Sequence, residues 1–298
     1  MTDNLRAVVS VAVVAAGIAA AAALLEARDR LAPLPVSQER LMHLRSGQTA
    51  NRLFLTFDAL AADVYWMRAI QHYGRDRRSS RRDDKFELLQ PLLDLTTSLD
   101  PHFNIAYRFG AIFLSMDPPD GPGKTDQAIR LLEKGLAANP HRWQYAHDIA
   151  FVHYWHTGDY AEAARWFDRA ASMSGAPDWI RPLAGITLAQ GGDRTGARQI
   201  LSELVTASES YIRSAAERAL AQLDALDVID RLNGLVERYH GATGKRPSGW
   251  EELVRARLLP GIPLDSTGTP LLYDPVSGIV TLSDESGLAP LPRGLGPT

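Results

Sequence analysis

A helical hairpin recurs along the middle of this chain, and no other feature limits the fold as strongly. Residues 143–175 read as a helix, a tight turn at Gly158-Asp159 and a second helix. Tyr154, Tyr160, Ala163, Phe167 and Ala170 supply the large and small positions that let two antiparallel helices interlock. Residues 178–208 repeat the logic, with Gly185 at a small first-helix position, Leu188, a Gly192-Asp193 turn, and then Ala197 and Leu201. Residues 101–140 form a third unit, with Ala106, Phe109, Gly110 and Phe113 in its first helix, Ala128, Leu132 and Leu136 in its second, and a turn expanded over 117–123. Residues 86–100 read as the second helix of a degenerate earlier unit. Its first helix spans 53–74, where Leu53, Phe57, Leu60, Val64, Met67 and Tyr73 recur near helical spacing and Gly74 ends the pattern. One such hairpin cannot bury its apolar face alone, so neighbouring units must stack into a continuous core.

Gly158-Asp159-Tyr160 followed by Ala163, Phe167 and Ala170 resembles the tetratricopeptide repeat family in its turn and second helix. Phe151 departs from that pattern, standing at the first-helix position where the family carries Gly or Ala. The resemblance covers 53–208. It implies an all-α fold, a right-handed solenoid of helical hairpins whose groove holds a protein or peptide partner. Residues 209–242 continue as capping helices, with Tyr211, Ala215, Leu220, Leu223, Leu226, Ile229, Leu232 and Val236 in helical register.

Residues 243–298 change character and predict a small α+β module with a Pro/Gly-rich tail. A short helix starts at Trp250, and two apolar runs, 271–273 and 279–282, flank a turn and predict a hairpin. The order Tyr239-His240, Trp250-Glu251-Glu252-Leu253, Leu258-Leu259-Pro260, Gly268-Thr269-Pro270 and Tyr273-Asp274-Pro275 resembles the C-terminal part of type II secretion and type IV pilus-like pseudopilins. That resemblance implies a cell-envelope location, although the chain lacks the cleavage and methylation signature those proteins carry at their N-terminus.

Residues 7–25 hold no charge between Arg6 and Glu26. As a helix they would reach roughly 28 Å, close to the hydrocarbon thickness of a bilayer. Residues 1–27 therefore read as a signal anchor or transmembrane helix, followed by a linker over 28–52. Nine alanines in the segment also admit a signal peptide cleaved near Ala19-Ala20-Ala21, or a buried helix. Arg28, Arg30 and Arg40 follow the segment, but a long domain translocates largely regardless of its charge, so the repeats are expected on the periplasmic, extracytoplasmic side. The net charge of −3 sets up no field toward nucleic acid, and the absence of cysteine removes disulfides and thiolate sites.

Gly121-Pro122-Gly123-Lys124-Thr125 ends like a phosphate loop, yet Pro118 stands where the loop needs Gly and a helix precedes it in place of a strand. No nucleotide, cofactor or metal is expected. His147, His153 and His156 lie close in sequence without a metal-binding spacing, and they leave open an envelope enzyme with a histidine-lined groove. The aromatic concentration around them points to a protein-binding groove, with Arg142, Tyr145, Tyr154, Trp155, Arg165 and Trp166 as candidate contacts and the arginines as forks for carboxylates. Arg75, Arg77, Arg78, Arg81 and Arg82 form a solvated connector or meet an anionic lipid or partner. The lipid reading belongs to a cytosol-facing membrane adaptor.

Overall fold

The computed structural model describes residues 17, 20, 57–79 and 85–292. Gly17 and Ala20 are helical. The remainder of the 7–25 segment, the 28–52 linker, Leu53, Arg81, Arg82 and residues 293–298 lie outside the described residues. Among the described residues no helix is long and apolar enough to cross a membrane.

The described chain from residue 57 onward is mostly helical, as the periodicity predicts. In order come α1 (Asp58–Arg78), α2 (Leu89–Leu99), α3 (Asn104–Ser115), α4 (Thr125–Ala138), α5 (Trp143–Val152), α6 (Tyr160–Ala171), α7 (Arg181–Gln190), α8 (Arg194–Leu204), α9 (Ser210–Thr243) and α10 (Trp250–Arg255). Each odd helix from α1 to α7 packs on the even helix after it, and each even helix packs on the next odd one. Both Gly-Asp turns are built alike. Gly158 and Gly192 take left-handed φ values of 68° and 85°, which only glycine adopts at little cost. Asp159 and Asp193 then cap the following helix, accepting the backbone N–H of Glu162 and Gly196 at 2.9 Å each.

Small residues on the odd helices set the approach distance. A Cβ on Gly185 would lie 2.8 Å from Leu201 Cγ, and one on Gly110 would lie 2.8 Å from Leu93. In α5 the equivalent face is Ala146 and Ala150, both fully buried, whereas Phe151 is exposed. The 143–175 unit therefore has its small residue after all, one position before the Phe151 that the sequence pattern put there. On the even side, Gly135 of α4 receives the Tyr107 ring, whose Cδ1 would be 2.9 Å from an added Cβ. Polar clamps reinforce the stack. Lys134 bonds Asp94, Thr97 and Ser98 of α2 at 2.7–2.9 Å, and Arg194 and Arg198 of α8 reach Asp224, Asp227 and Asp230 of α9 at 2.6–2.8 Å.

Helix α1 differs from its sequence reading in two ways. It runs through Gly74 to Arg78, because Asp76 is buried beyond the glycine and Arg75, Arg77 and Arg78 suit a helix C-terminus. Its buried face is Ala61, Ala62, Tyr65, Ala69, His72 and Tyr73, while Phe57, Leu60, Val64 and Met67 are exposed. Ala62 and Ala69 are fully buried where the helix packs on α2, and a larger side chain at either position would have no room. The connector to α2 is pinned from below: Asp76 accepts the Phe86 N–H at 2.7 Å and His72 Nε2 accepts the Leu88 N–H at 3.3 Å.

Helix α9 is a single helix of 34 residues, not a pair. Its first half puts Ile212, Ala216, Ala219 and Leu223 on α7 and α8. Its second half puts Ile229, Leu232 and Val236 against the C-terminal module. There the predicted hairpin forms between β1 (Leu272–Tyr273) and β2 (Val280–Thr281), paired Leu272 to Thr281 and Tyr273 to Val280. Trp250 of α10 donates its indole N–H to the Leu271 carbonyl at 2.9 Å, docking helix and hairpin together.

Two predictions follow from this packing. Gly185→Ala overpacks a fully buried contact and is expected to cost about 1–3 kcal/mol before a helix-propensity gain of up to ~1 kcal/mol. Gly234→Ala on the open side of α9, whose nearest neighbour is the Arg238 tip at 3.6 Å, keeps only the gain. Urea denaturation should therefore shift in opposite directions for the same substitution. Second, burial holds the His72 imidazole below its ordinary value of 6.5, with Asp76 opposing the shift and Arg75 adding to it. The folded state then binds the proton less readily than the unfolded one. This contribution to stability is fully present above pH 6.5 and is lost as pH falls through the depressed folded value. Thermal unfolding between about pH 7.5 and about pH 5.5 should lose more stability in the native chain than in His72→Gln, which accepts the same hydrogen bond without titrating.

Candidate interaction groove

Every odd helix from α1 to α7 exposes large apolar side chains. These are Leu60, Val64, Met67 and Ile70 on α1, Ile105, Phe109 and Ile112 on α3, Phe151 on α5 and Ile186 on α7. Among the described residues, α2, α4, α6 and α8 expose none. Among these eight helices the exposed large apolar side chains thus belong to the odd set alone. Exposed apolar side chains concentrated on alternate helices make this surface the candidate for contact with another molecule.

The surface deepens between α3 and α5 into a groove of about 320 Å³. Phe109 and Ile112 form one wall, and Phe151 and Trp155 the other. At its floor Arg108 donates from Nε and Nη2 to the two carboxylate oxygens of Asp148, at 2.5 and 3.0 Å. This pair bridges the two helices and raises the guanidinium pKa, chiefly through the hydrogen bond. His147 Nδ1 lies 3.2 Å from Asp148 as well, and its ring sits among Trp143, Phe151, Phe167 and Trp179 at centroid distances of 4.7–5.8 Å.

Helix α5 ends in a π-helical turn, His153–Thr157. Thr157 Oγ1 donates to the His153 carbonyl at 3.0 Å within this turn. Turns of this kind are uncommon and cluster at functional positions. Here the turn carries Trp155, 68% exposed, and His156 on the groove lining.

The candidate residues do not converge. Trp155 lines the groove. Tyr145 is fully buried, edge-on to Tyr107 at 5.4 Å, and Tyr154 is half-buried against Trp155 and Tyr160. Arg165 and Trp166 sit on α6, Arg165 paired with Glu162 and Trp166 beneath Arg169 at 4.7 Å. Arg142 is exposed just before α5. Of the arginine run, Arg75 contacts Asp76 at 3.5 Å, Arg77 bonds Asp120 at 2.9 Å, and Arg78 bonds the Gly74 carbonyl. Phe109, Ile112, Arg108 and Asp148 are groove residues that sequence reasoning missed. Their signal was the spacing of Ile105, Phe109 and Ile112 on a helix whose other face already carried the small residues.

The three histidines serve separate contacts: His147 with Asp148, His153 with Thr157, and His156 with Asp117 at 3.8 Å. Among the described residues no group of three His, Asp or Glu side chains is placed to hold a metal ion. In the expanded turn, the N–H groups of Gly121, Gly123 and Lys124 are bonded to the carbonyls of Asp117, Met116 and Leu114 at 2.7–3.1 Å, so they do not form an open phosphate cradle. The chain matches no family model, no curated protein and no solved structure.

Proposed function

We propose that this protein is an interaction scaffold of the tetratricopeptide type, tethered to a membrane through residues 7–25, whose odd-helix surface holds a segment of another protein. The observation that carries the reading is that, of helices α1 to α8, the odd ones expose large apolar side chains and the even ones do not. Such a surface offers several apolar anchors in rows, the arrangement that an amphipathic or extended peptide requires. Among the described residues the groove lining offers no nucleophile paired with a base, which favours binding over turnover. An envelope assembly such as secretion or pilus machinery would supply the partner, in keeping with the pseudopilin-like order of the C-terminal residues.

Aromatic anchors in such grooves carry a disproportionate share of affinity, on the order of 2 kcal/mol each. Full-length protein recovered in mild detergent should therefore lose at least about tenfold of its co-purifying partner when Phe109 and Trp155 are both changed to Ala. Both side chains are exposed, so circular dichroism should be unchanged. Undiminished recovery of every partner would sink the groove.

A further inference from the structure

The charges around the α3–α5 groove are unequally satisfied. Arg108 is held by both oxygens of Asp148, and Arg77 is held by Asp120 of the expanded turn. Arg165, expected to offer a fork to a carboxylate, lies on α6, where it is paired with Glu162 of the same helix. An acidic ligand would have to open the Arg108–Asp148 pair and leave Asp148, only 18% exposed, without its cation. Asp117 is the contrary case. Its side chain is 79% exposed, and the only basic group within 4 Å among the described residues is His156 Nδ1, at 3.8 Å. That nitrogen is itself buried and without a hydrogen-bond partner. Next to it in sequence, Trp155 leaves much of its indole ring open, a surface that attracts ammonium and guanidinium groups.

We infer that the groove selects a peptide segment in which a Lys or Arg stands beside the apolar anchors. The anchors fill the space between Phe109, Ile112, Phe151 and Trp155, and the cation meets Asp117 at the mouth. This rests on the scaffold reading and adds the sign of the ligand. Two effects act together: the exposed Asp117 carboxylate, whose one basic neighbour among the described residues is His156, attracts the cation, and the closed Arg108–Asp148 pair excludes an acidic competitor.

The test uses fluorescence anisotropy with the full chain and two labelled peptides of about 15 residues. They share one Leu/Phe face and differ only in carrying Arg or Glu at the flanking positions. The Arg peptide is expected to bind roughly fivefold tighter at about 50 mM salt, with the preference shrinking at high salt as exposed charges are screened. Asp117→Asn should reduce that preference to less than about twofold, while Trp155→Ala should weaken both peptides. Equal affinity for the two peptides, tighter binding of the Glu peptide, or a preference that survives Asp117→Asn overturns the charge selection and leaves the apolar groove standing. Failure of both peptides to bind overturns the groove as well.

Discussion

The close approach of consecutive helices through small side chains is the constraint on which the rest depends. Ala62 and Ala69 on α1, Ala106 and Gly110 on α3, Ala146 and Ala150 on α5, and Ala184 and Gly185 on α7 are buried. They let leucines of the even helices, such as Leu93, Leu131 and Leu201, reach close to the odd-helix backbone. Interiors packed to crystal-like density tolerate little change in this spacing. Because one face of each odd helix is reserved for small residues, its larger apolar side chains are confined to the remaining arc. Part of that arc faces the neighbouring odd helix, as Trp66 and Tyr73 face Phe113, stacked at centroid distances of 6.1 and 4.3 Å. The rest opens to solvent.

The apolar surface is therefore a by-product of how the core is built as well as a candidate for selection. What turns it into a groove is local. The Arg108–Asp148 pair fixes the spacing of α3 and α5 at the floor, and the π-helical turn brings Trp155 and His156 to its far wall. The expanded turn between α3 and α4 contributes Asp117 at the mouth, held by its own backbone bonds and by the tie from Asp120 to Arg77. Gly121 packs so tightly on Met116 in this turn that an added Cβ would lie 2.5 Å from it. A longer turn can thus present a carboxylate without disturbing the stack beneath.

Helix α9 closes the stack and carries the C-terminal module on the same rod. Its aspartates lock it to α8, and its distal half gives Ile229, Leu232 and Val236 to a second core containing Trp250, Leu253, Leu271 and Val280. Gln222 donates to the carbonyls of Leu288 and Pro290, and Asn233 accepts the Val280 N–H. The small hairpin, only two residues per strand, draws its stability from this docking, since so short a pair is not stable alone.

By itself the sequence determined the local elements. Gly-Asp turns demand left-handed glycine and a capping carboxylate, Asp274 with Gly278 makes a turn, and small residues at helical spacing announce interlocked hairpins. All of these rest on interactions within a few residues, which is why helix order, both turns and the hairpin were legible. Which face of a helix is buried was not. In α1 both faces are apolar, and hydrophobic periodicity chose the larger side chains, whereas the structure buried the alanines that allow contact with α2. In α5 the same competition shifted the small position from Phe151 to Ala150. The groove, its Arg108–Asp148 floor and the carboxylate at its mouth depend on residues 40 apart in sequence or on turns folded back on themselves. Only the tertiary structure decided them, because helix-to-helix distance and the choice of neighbour are properties of the packed stack and not of any one segment.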